Sequence, residues 1–124
     1  MQTAKRLRNF HMRKWSYLKP DTCFGGQSFQ KLMVFEEDEG FWVFLYETRD
    51  AVFCDVDLFY EDREEAMEEW ADKTDDEGWH EIPDPLPGCQ HDSILPIRVK
   101  GRDKGAPQWG EYEILGNGVW EDFT

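Results

Sequence analysis

The sequence predicts an α+β fold: a single domain with an antiparallel sheet of about five or six strands and one or two helices packed on one face. The chain has 124 residues, of which 40% are hydrophobic and 15% aromatic. A chain of this size can bury one core without disulfides or metals. Short apolar or alternating segments are separated by turn signals, which is typical of antiparallel sheets. One further segment carries the start and spacing signals of an amphipathic helix.

The first 22 residues form a basic segment, with six basic residues against one acid. Apolar spacings of three and four predict an amphipathic helix that ends before Pro20. Residues 15–18 fit a short strand equally well, and Met12 is an alternative start that would make residues 1–11 an extension. We therefore divide the chain into this segment, residues 1–22, and a single α+β domain, residues 23–124.

The first group of strands follows a loop predicted over residues 21–30. Residues 31–36 and 41–47 predict two strands joined by a tight acidic turn, in which Gly40 supplies a positive φ. The second of these strands is apolar on both faces, so we expect it to be central and covered on both sides. Apolar and polar residues alternate over residues 51–58, which predicts a half-buried strand.

Residues 62–73 carry the strongest helix signals in the chain. Asp62 followed by Glu65 resembles a capping box, and the acids of the first turn suit the positive end of the helix dipole. The apolar residues of this segment share one narrow face, which we expect to pack on the sheet. These residues are Ala66, Met67, Trp70 and Ala71.

The last third of the chain predicts an irregular connection and a second group of strands. Residues 79–93 contain three prolines and a glycine, which disfavour regular pairing. Strands are predicted over residues 94–100, 108–115 and 119–123. The last two are joined by Gly116-Asn117-Gly118, which is a strong hairpin signal.

Charge is the feature that says most about partners. The net charge is -13, and residues 55–77 carry twelve carboxylates against two bases. Over residues 23–124, 26 acidic against 8 basic residues leave -18. Direct binding to nucleic acid or to an anionic membrane is disfavoured by repulsion, whereas a basic protein is attracted. No apolar run is long enough to span a membrane, and three widely spaced cysteines favour a reducing cytoplasm.

Motifs for metal binding or catalysis are weak. Cys89 and His91, together with His80, are residue types that bind zinc, but a structural zinc site needs four ligands with characteristic pair spacings. Cys89 activated by His80 or His91 would be a nucleophile in acidic surroundings, which disfavour the thiolate. We predict no catalytic residue and no cofactor. The alternative is a small enzyme or metal-binding protein built on residues 79–93.

A hard cation such as Ca²⁺ or Mg²⁺ could use the clustered oxygens of Asp55, Asp57, Glu61 and Asp62. The EF-hand pattern fails, however, because aromatic residues stand at the third ligand position and at the required glycine. A solvated strand edge, with Asp55 and Asp57 pointing to solvent from one face, is the better interpretation. Cys54, in the same segment, is predicted to be a small buried residue.

Aromatic residues are interleaved with the acids, as they are in protein interfaces. We predict a partner-binding surface in which the acids steer a basic partner and the aromatic rings supply contact area. Its residues are Asp55, Asp57, Tyr60, Glu61, Glu65, Glu68, Glu69 and Trp79. Trp70 is a further candidate unless it belongs to the core. A third interpretation is a nucleic-acid mimic that presents carboxylates in place of phosphates.

Residues 41–84 place a hydrophobic strand, a turn, an Asp-containing strand and a helix beginning Glu-Asp-Arg-Glu-Glu-Ala before the sequence Gly-Trp-His-Glu-Ile-Pro. This arrangement resembles small bacterial immunity-type proteins of toxin loci and covers about a third of the chain. The resemblance implies a small, acidic, cytoplasmic α+β protein that neutralises a basic toxin by direct binding. No functional residue is carried over from it.

Overall fold

The computed structural model describes residues 11–123. It confirms the α+β fold: ten strands form three antiparallel sheets, and the described residues include one α-helix. The described residues fall into two compact units, which divide between Pro83 and Asp84. Within the described part of the chain, no helix is long and apolar enough to cross a membrane.

The first unit is built on a five-stranded antiparallel sheet with the strand order β6-β5-β4-β1-β7. A short two-stranded hairpin, formed by β2 and β3, lies in the segment that was predicted to be a loop. The strands are β1 (Arg13–Tyr17), β2 (Cys23–Phe24), β3 (Gln27–Ser28), β4 (Lys31–Glu37), β5 (Gly40–Tyr46), β6 (Val56–Tyr60) and β7 (His80–Glu81).

The apolar cluster that contacts the helix lies on one face of the sheet, and Met33, Phe44 and Tyr46 are buried on the other face. Residues 31–35 of β4 are all buried, and β5 is buried except at Trp42, so the prediction that residues 41–46 are covered on both sides is confirmed. Alternate residues of these strands point to the helix side and form one apolar cluster, as the two-residue period of a strand requires. The buried members are Leu18, Phe29, Leu32, Val34, Phe41, Val43, Leu45, Ala66 and Trp70.

The helix α1 (Arg63–Trp70) continues as a 3₁₀ turn, Ala71–Lys73. Asp62 caps it, because its Oδ1 accepts a hydrogen bond from the Glu65 backbone N–H at 2.9 Å. Among the described hydrogen bonds, the Glu65 carboxylate does not return one to Asp62, so the cap is one-sided. Ala66 and Trp70 are buried while Ala71 is exposed. The apolar face is therefore narrower than the sequence predicts.

The opposite face of the sheet carries two buried cations. Arg13 lies over the Phe35 ring and donates from Nη1 to the Pro83 carbonyl oxygen at 2.7 Å. Lys31 lies over the Tyr46 ring and donates to the Ala51 carbonyl oxygen at 2.9 Å, and burial lowers the pKa of this lysine. Both cations lie on the face away from α1, so neither forms an ion pair with the carboxylates of the helix.

The helix prediction for the N-terminal segment is wrong over residues 13–17, where the alternative, a strand, is found as β1. This strand pairs with β4 on one side and with β7 on the other. Its backbone groups thus find partners far along the chain, and this tertiary pairing outweighs a helical spacing of apolar residues. The first ten residues of the predicted helix lie outside the described residues.

The strand predicted over residues 51–58 begins only at Val56, so the expectation that Asp55 and Asp57 share a strand face is wrong. The Asp55 carboxylate accepts a hydrogen bond from the Glu47 backbone N–H at 2.8 Å. This bond closes residues 47–55 as a loop. The Asp55 backbone N–H also donates to the Leu45 carbonyl oxygen at 2.8 Å, and regular pairing with β5 begins at Val56. Cys54, predicted to be buried, is half-buried in this loop.

The second unit contains a three-stranded antiparallel meander with the order β10-β9-β8. Asn117 and Gly118 both have positive φ, 53° and 79°, as the predicted two-residue hairpin turn requires. β8 and β9 are shorter than predicted because the chain between them forms a hydrogen-bonded loop with a 3₁₀ turn. The elements are β8 (Ile97–Val99), the 3₁₀ turn (Arg102–Lys104), β9 (Tyr112–Gly116) and β10 (Val119–Phe123).

Candidate functional site

The strand β6 forms one edge of the five-stranded sheet. Asp57 and Phe59 are exposed, whereas Val56, Leu58 and Tyr60 are half-buried against the core cluster. Within residues 11–123, no strand or loop forms backbone hydrogen bonds with the outer side of β6. Among the described residues, nothing pairs with this side of the β6 backbone, and the side chains of Asp57 and Phe59 are exposed.

Phe59 is the exposed apolar residue of this edge, with 49% of its surface accessible. Its ring packs edge-on against Trp42, with centroids 5.0 Å apart, and Trp42 donates from Nε1 to Glu37 Oε2 at 2.7 Å. The ring also rests on Gly40, where a Cβ would lie 2.1 Å from it. Gly40 does not have the predicted positive φ. The glycine is needed because Phe59 and the Tyr60 carbonyl approach its backbone closely.

Carboxylates from two parts of the chain line one shallow cleft of about 400 Å³. They come from the end of β4 and the turn after it, and from the connection between β6 and α1 together with the start of that helix. Among the described residues that line it, Arg63 is the one base, and its Nη2 lies 2.7 Å from Glu36 Oε1. The acidic residues are Glu36, Glu37, Asp38, Glu61, Asp62 and Glu64. The cleft therefore has a strongly negative lining.

The structure brings some of the sequence-predicted surface residues together and separates others. Asp57 is exposed on β6 and lies, with Phe59, on the sheet face away from α1. Glu61 follows the strand, and the exposed Glu65, Glu68 and Glu69 lie on α1, on the other side of the same edge. Asp55 is exposed but precedes the strand. We name these five residues, Asp57 and the four glutamates, the acidic edge.

The two tryptophan candidates do not belong to the acidic edge. Trp70 is only 1% exposed and lies in the core, so it cannot supply contact area. Trp79 is half-buried beneath the Lys14 ammonium, 4.6 Å from its ring, and directly precedes β7 at the opposite edge of the sheet. Phe59 takes their place. The sequence did contain a signal for Phe59. It stands two residues after Asp57 on one strand, so the two side chains point to the same face, and an exposed Asp57 predicts an exposed Phe59.

Tyr60 links the acidic edge to the core. Its hydroxyl donates to Glu69 Oε1 at 2.7 Å and accepts from Trp70 Nε1 at 2.9 Å. Burial, followed by the bond to Glu69, raises the pKa of Tyr60 to about 12. Because both Glu69 and Trp70 bond to its hydroxyl, Tyr60 contributes mainly to positioning Glu69 and the helix and little to contact with a partner.

We expect Tyr60 to ionise near pH 12, above the ordinary tyrosine pKa of 10.0. The pKa of Tyr60 is higher in the folded than in the unfolded chain. Its contribution to the free energy of unfolding is therefore complete below pH 10 and is lost as the pH rises from there toward 12. Ultraviolet difference titration against Tyr60→Phe measures this. Glu69→Gln should lower the pKa, whereas Glu68→Gln should leave it unchanged. A folded-state pKa near 10 would contradict the prediction.

The metal and nucleophile candidates His80, Cys89 and His91 differ in exposure. His80 stacks on Trp15, with ring centroids 4.3 Å apart, and its Nε2 lies 2.8 Å from Glu77 Oε2. Cys89 is half-buried and His91 is exposed. Among the described residues, no group of three or more histidine, cysteine, aspartate or glutamate side chains is arranged to hold a metal ion.

Comparison with known proteins adds no relative: no family model, no curated protein and no solved structure matches this chain. The geometry of the acidic edge is therefore the basis for a functional proposal.

Proposed function

We propose that this protein is a non-enzymatic binding module that takes a basic protein on its acidic edge, in the manner of an immunity or inhibitor protein that neutralises a toxin. The observation that carries the proposal is an exposed, supported aromatic ring on β6, that of Phe59, two residues from the exposed carboxylate of Asp57 and at the edge where the other acids lie. Protein interfaces commonly combine an apolar anchor with a charged rim. Phe59 would be the anchor here, and the acids would form the rim.

Long-range attraction supports a basic partner over a neutral one. A net charge of -13 and a concentrated acidic surface raise the rate at which a cationic protein encounters this chain, by factors of about 10 to 1,000. The attraction should fall steeply with salt, since charges are screened beyond about 8 Å at physiological ionic strength. Affinity would come mainly from the desolvated anchor, and the carboxylates would set rate and specificity.

Reversal of Asp57, Glu61 and Glu68 to lysine should slow association with a basic partner by about tenfold or more at low salt and remove most of its salt dependence. None of these three side chains makes a hydrogen bond or ion pair in the described structure, so the fold should be retained. The partner is captured on the wild-type chain, purified, and tested with both chains by stopped-flow kinetics over a series of salt concentrations.

The matched control reverses Asp21, Asp76 and Glu81, three exposed acids outside β6 and α1 whose side chains also make no hydrogen bond or ion pair in the described structure, so the net charge changes by the same amount. It should slow association far less. Equal slowing in both variants would mean that overall charge and not the acidic edge steers the partner. An unchanged rate in the first variant would contradict the proposal outright.

A further inference from the structure

We propose that the outer side of β6 accepts an extended basic segment of the partner as an additional strand of the sheet. The inference rests on the proposed function and specifies how the partner binds. It deepens that proposal because surface charge alone would recognise any cationic protein, whereas strand addition recognises an extended backbone with a defined side-chain pattern.

The backbone of β6 is available for such pairing. The strand is the last in the order β6-β5-β4-β1-β7, and the described residues 11–123 place no hydrogen-bonding partner on its outer side. Five residues, Val56–Tyr60, span about 17 Å. This length matches a peptide of about five residues, and the main-chain hydrogen bonds would be independent of the partner's sequence.

The exposed side chains of β6 define which segment fits. Asp57 and Phe59 are two residues apart and lie on one face of the sheet, so they meet two residues on one face of the added strand. Cross-strand neighbours of opposite charge stabilise a sheet, as do pairs of apolar and aromatic side chains. The segment that fits carries a lysine or arginine and, two positions away, a β-branched or aromatic residue.

Charge also argues against a second copy of this chain as the occupant. Val56–Tyr60 contains no base, and Glu61 follows it directly. Pairing of two such edges would bring carboxylates of both copies together, and like charges facing each other across a sheet are destabilising. A basic segment removes this repulsion and pairs the same carboxylates.

The test uses a synthetic octapeptide, Lys-Thr-Val-Thr-Lys-Thr-Val-Thr, which has the required pattern on one face. Two further versions carry N-methyl groups on the odd or on the even backbone amides. A docked strand donates to β6 through amides of one parity only. We expect one methylated version to bind about tenfold more weakly than the parent peptide and the other to bind as the parent does. Calorimetry at low salt measures all three.

Two measurements on the protein side locate the binding. The parent peptide should slow amide hydrogen exchange within Val56–Tyr60 more than within β7 at the other edge of the sheet. Phe59→Ala should weaken binding severalfold, whereas Val119→Ala, which also shortens an exposed apolar side chain, should not. Both substitutions are expected to leave the fold intact because the side chains are half-exposed or more.

The outcomes separate this inference from the proposed function. Equal binding of both methylated peptides, lost on reversal of Asp57, Glu61 and Glu68, would overturn strand addition and leave the acidic edge as the binding surface. Binding unaffected by that reversal would overturn the proposed function itself. Failure of the parent peptide to bind, or a concentration-dependent dimer that protects β6 without peptide, would overturn the inference.

Discussion

Replacing Trp70 with alanine should destabilise the first unit by about 3 to 5 kcal/mol. The indole is 1% exposed and belongs to the cluster that joins α1 to the sheet. Its removal leaves a large cavity under the helix, and the Tyr60 hydroxyl loses the hydrogen bond that the indole N–H donates at 2.9 Å. Urea unfolding followed by far-ultraviolet circular dichroism measures the change.

The matched control is Trp109→Ala, which removes the same side chain from a position that is 71% exposed. It should change stability by no more than about 0.5 kcal/mol. Trp70→Phe separates packing from hydrogen bonding and should recover most of the loss, leaving a deficit on the order of 1 kcal/mol for the lost bond. Similar losses for Trp70→Ala and Trp109→Ala would show that burial under α1 is not the cause.

The elements that the sequence predicts well are those specified by local signals. Asp62 caps α1 through a contact three residues away, and Asn117-Gly118 supplies the two positive φ angles of its hairpin. In both cases, the energy that decides the structure comes from neighbours in the chain. The β4–β5 pair was also predicted, but its turn is shorter than expected, residues 38–39, and Gly40 does not have the positive φ on which the prediction relied.

The elements that were missed depend on distant partners. β1 is a strand because β4 and β7 flank it, and the start of β6 is set by the bond from Glu47 to Asp55. The composition of this segment predicted the acids of the acidic edge. Phe59 was not predicted, because its support comes from contacts with Trp42 and Gly40, which are distant in the sequence. Only the structure shows Phe59 resting on Gly40.

The acidic edge can serve two purposes with one set of side chains. An exposed edge strand is a template for unwanted pairing, and charged residues on it are a common protection against self-association. Asp57 and Glu61 provide that protection against other copies of this acidic chain. The same carboxylates lose their protective effect when the incoming strand is basic. In the proposed mode of binding, selection of a basic partner and avoidance of self-association would both depend on the sign of the charge beside the edge.

Gly101→Ala is the second substitution for which we expect a large loss, at least about 2 kcal/mol in the second unit. Gly101 has φ +79°, a conformation that costs an L-residue about 1 to 2 kcal/mol. In addition, an added Cβ would lie 2.2 Å from the Ala106 carbonyl oxygen. That oxygen cannot easily move away, because the Ala106 N–H donates to the Gly101 carbonyl at 2.9 Å and holds the loop closed.

Gly105 provides the matched control at the other end of the same 3₁₀ turn. Its φ is +72°, but no atom lies within 4 Å of the position of an added Cβ. Gly105→Ala should therefore show only the conformational cost, about 1 kcal/mol. Residue-resolved hydrogen exchange of β8 and β9 amides reports the stability of this unit separately. Equal losses of stability in the two variants would show that the close approach of the Ala106 carbonyl oxygen does not constrain this loop.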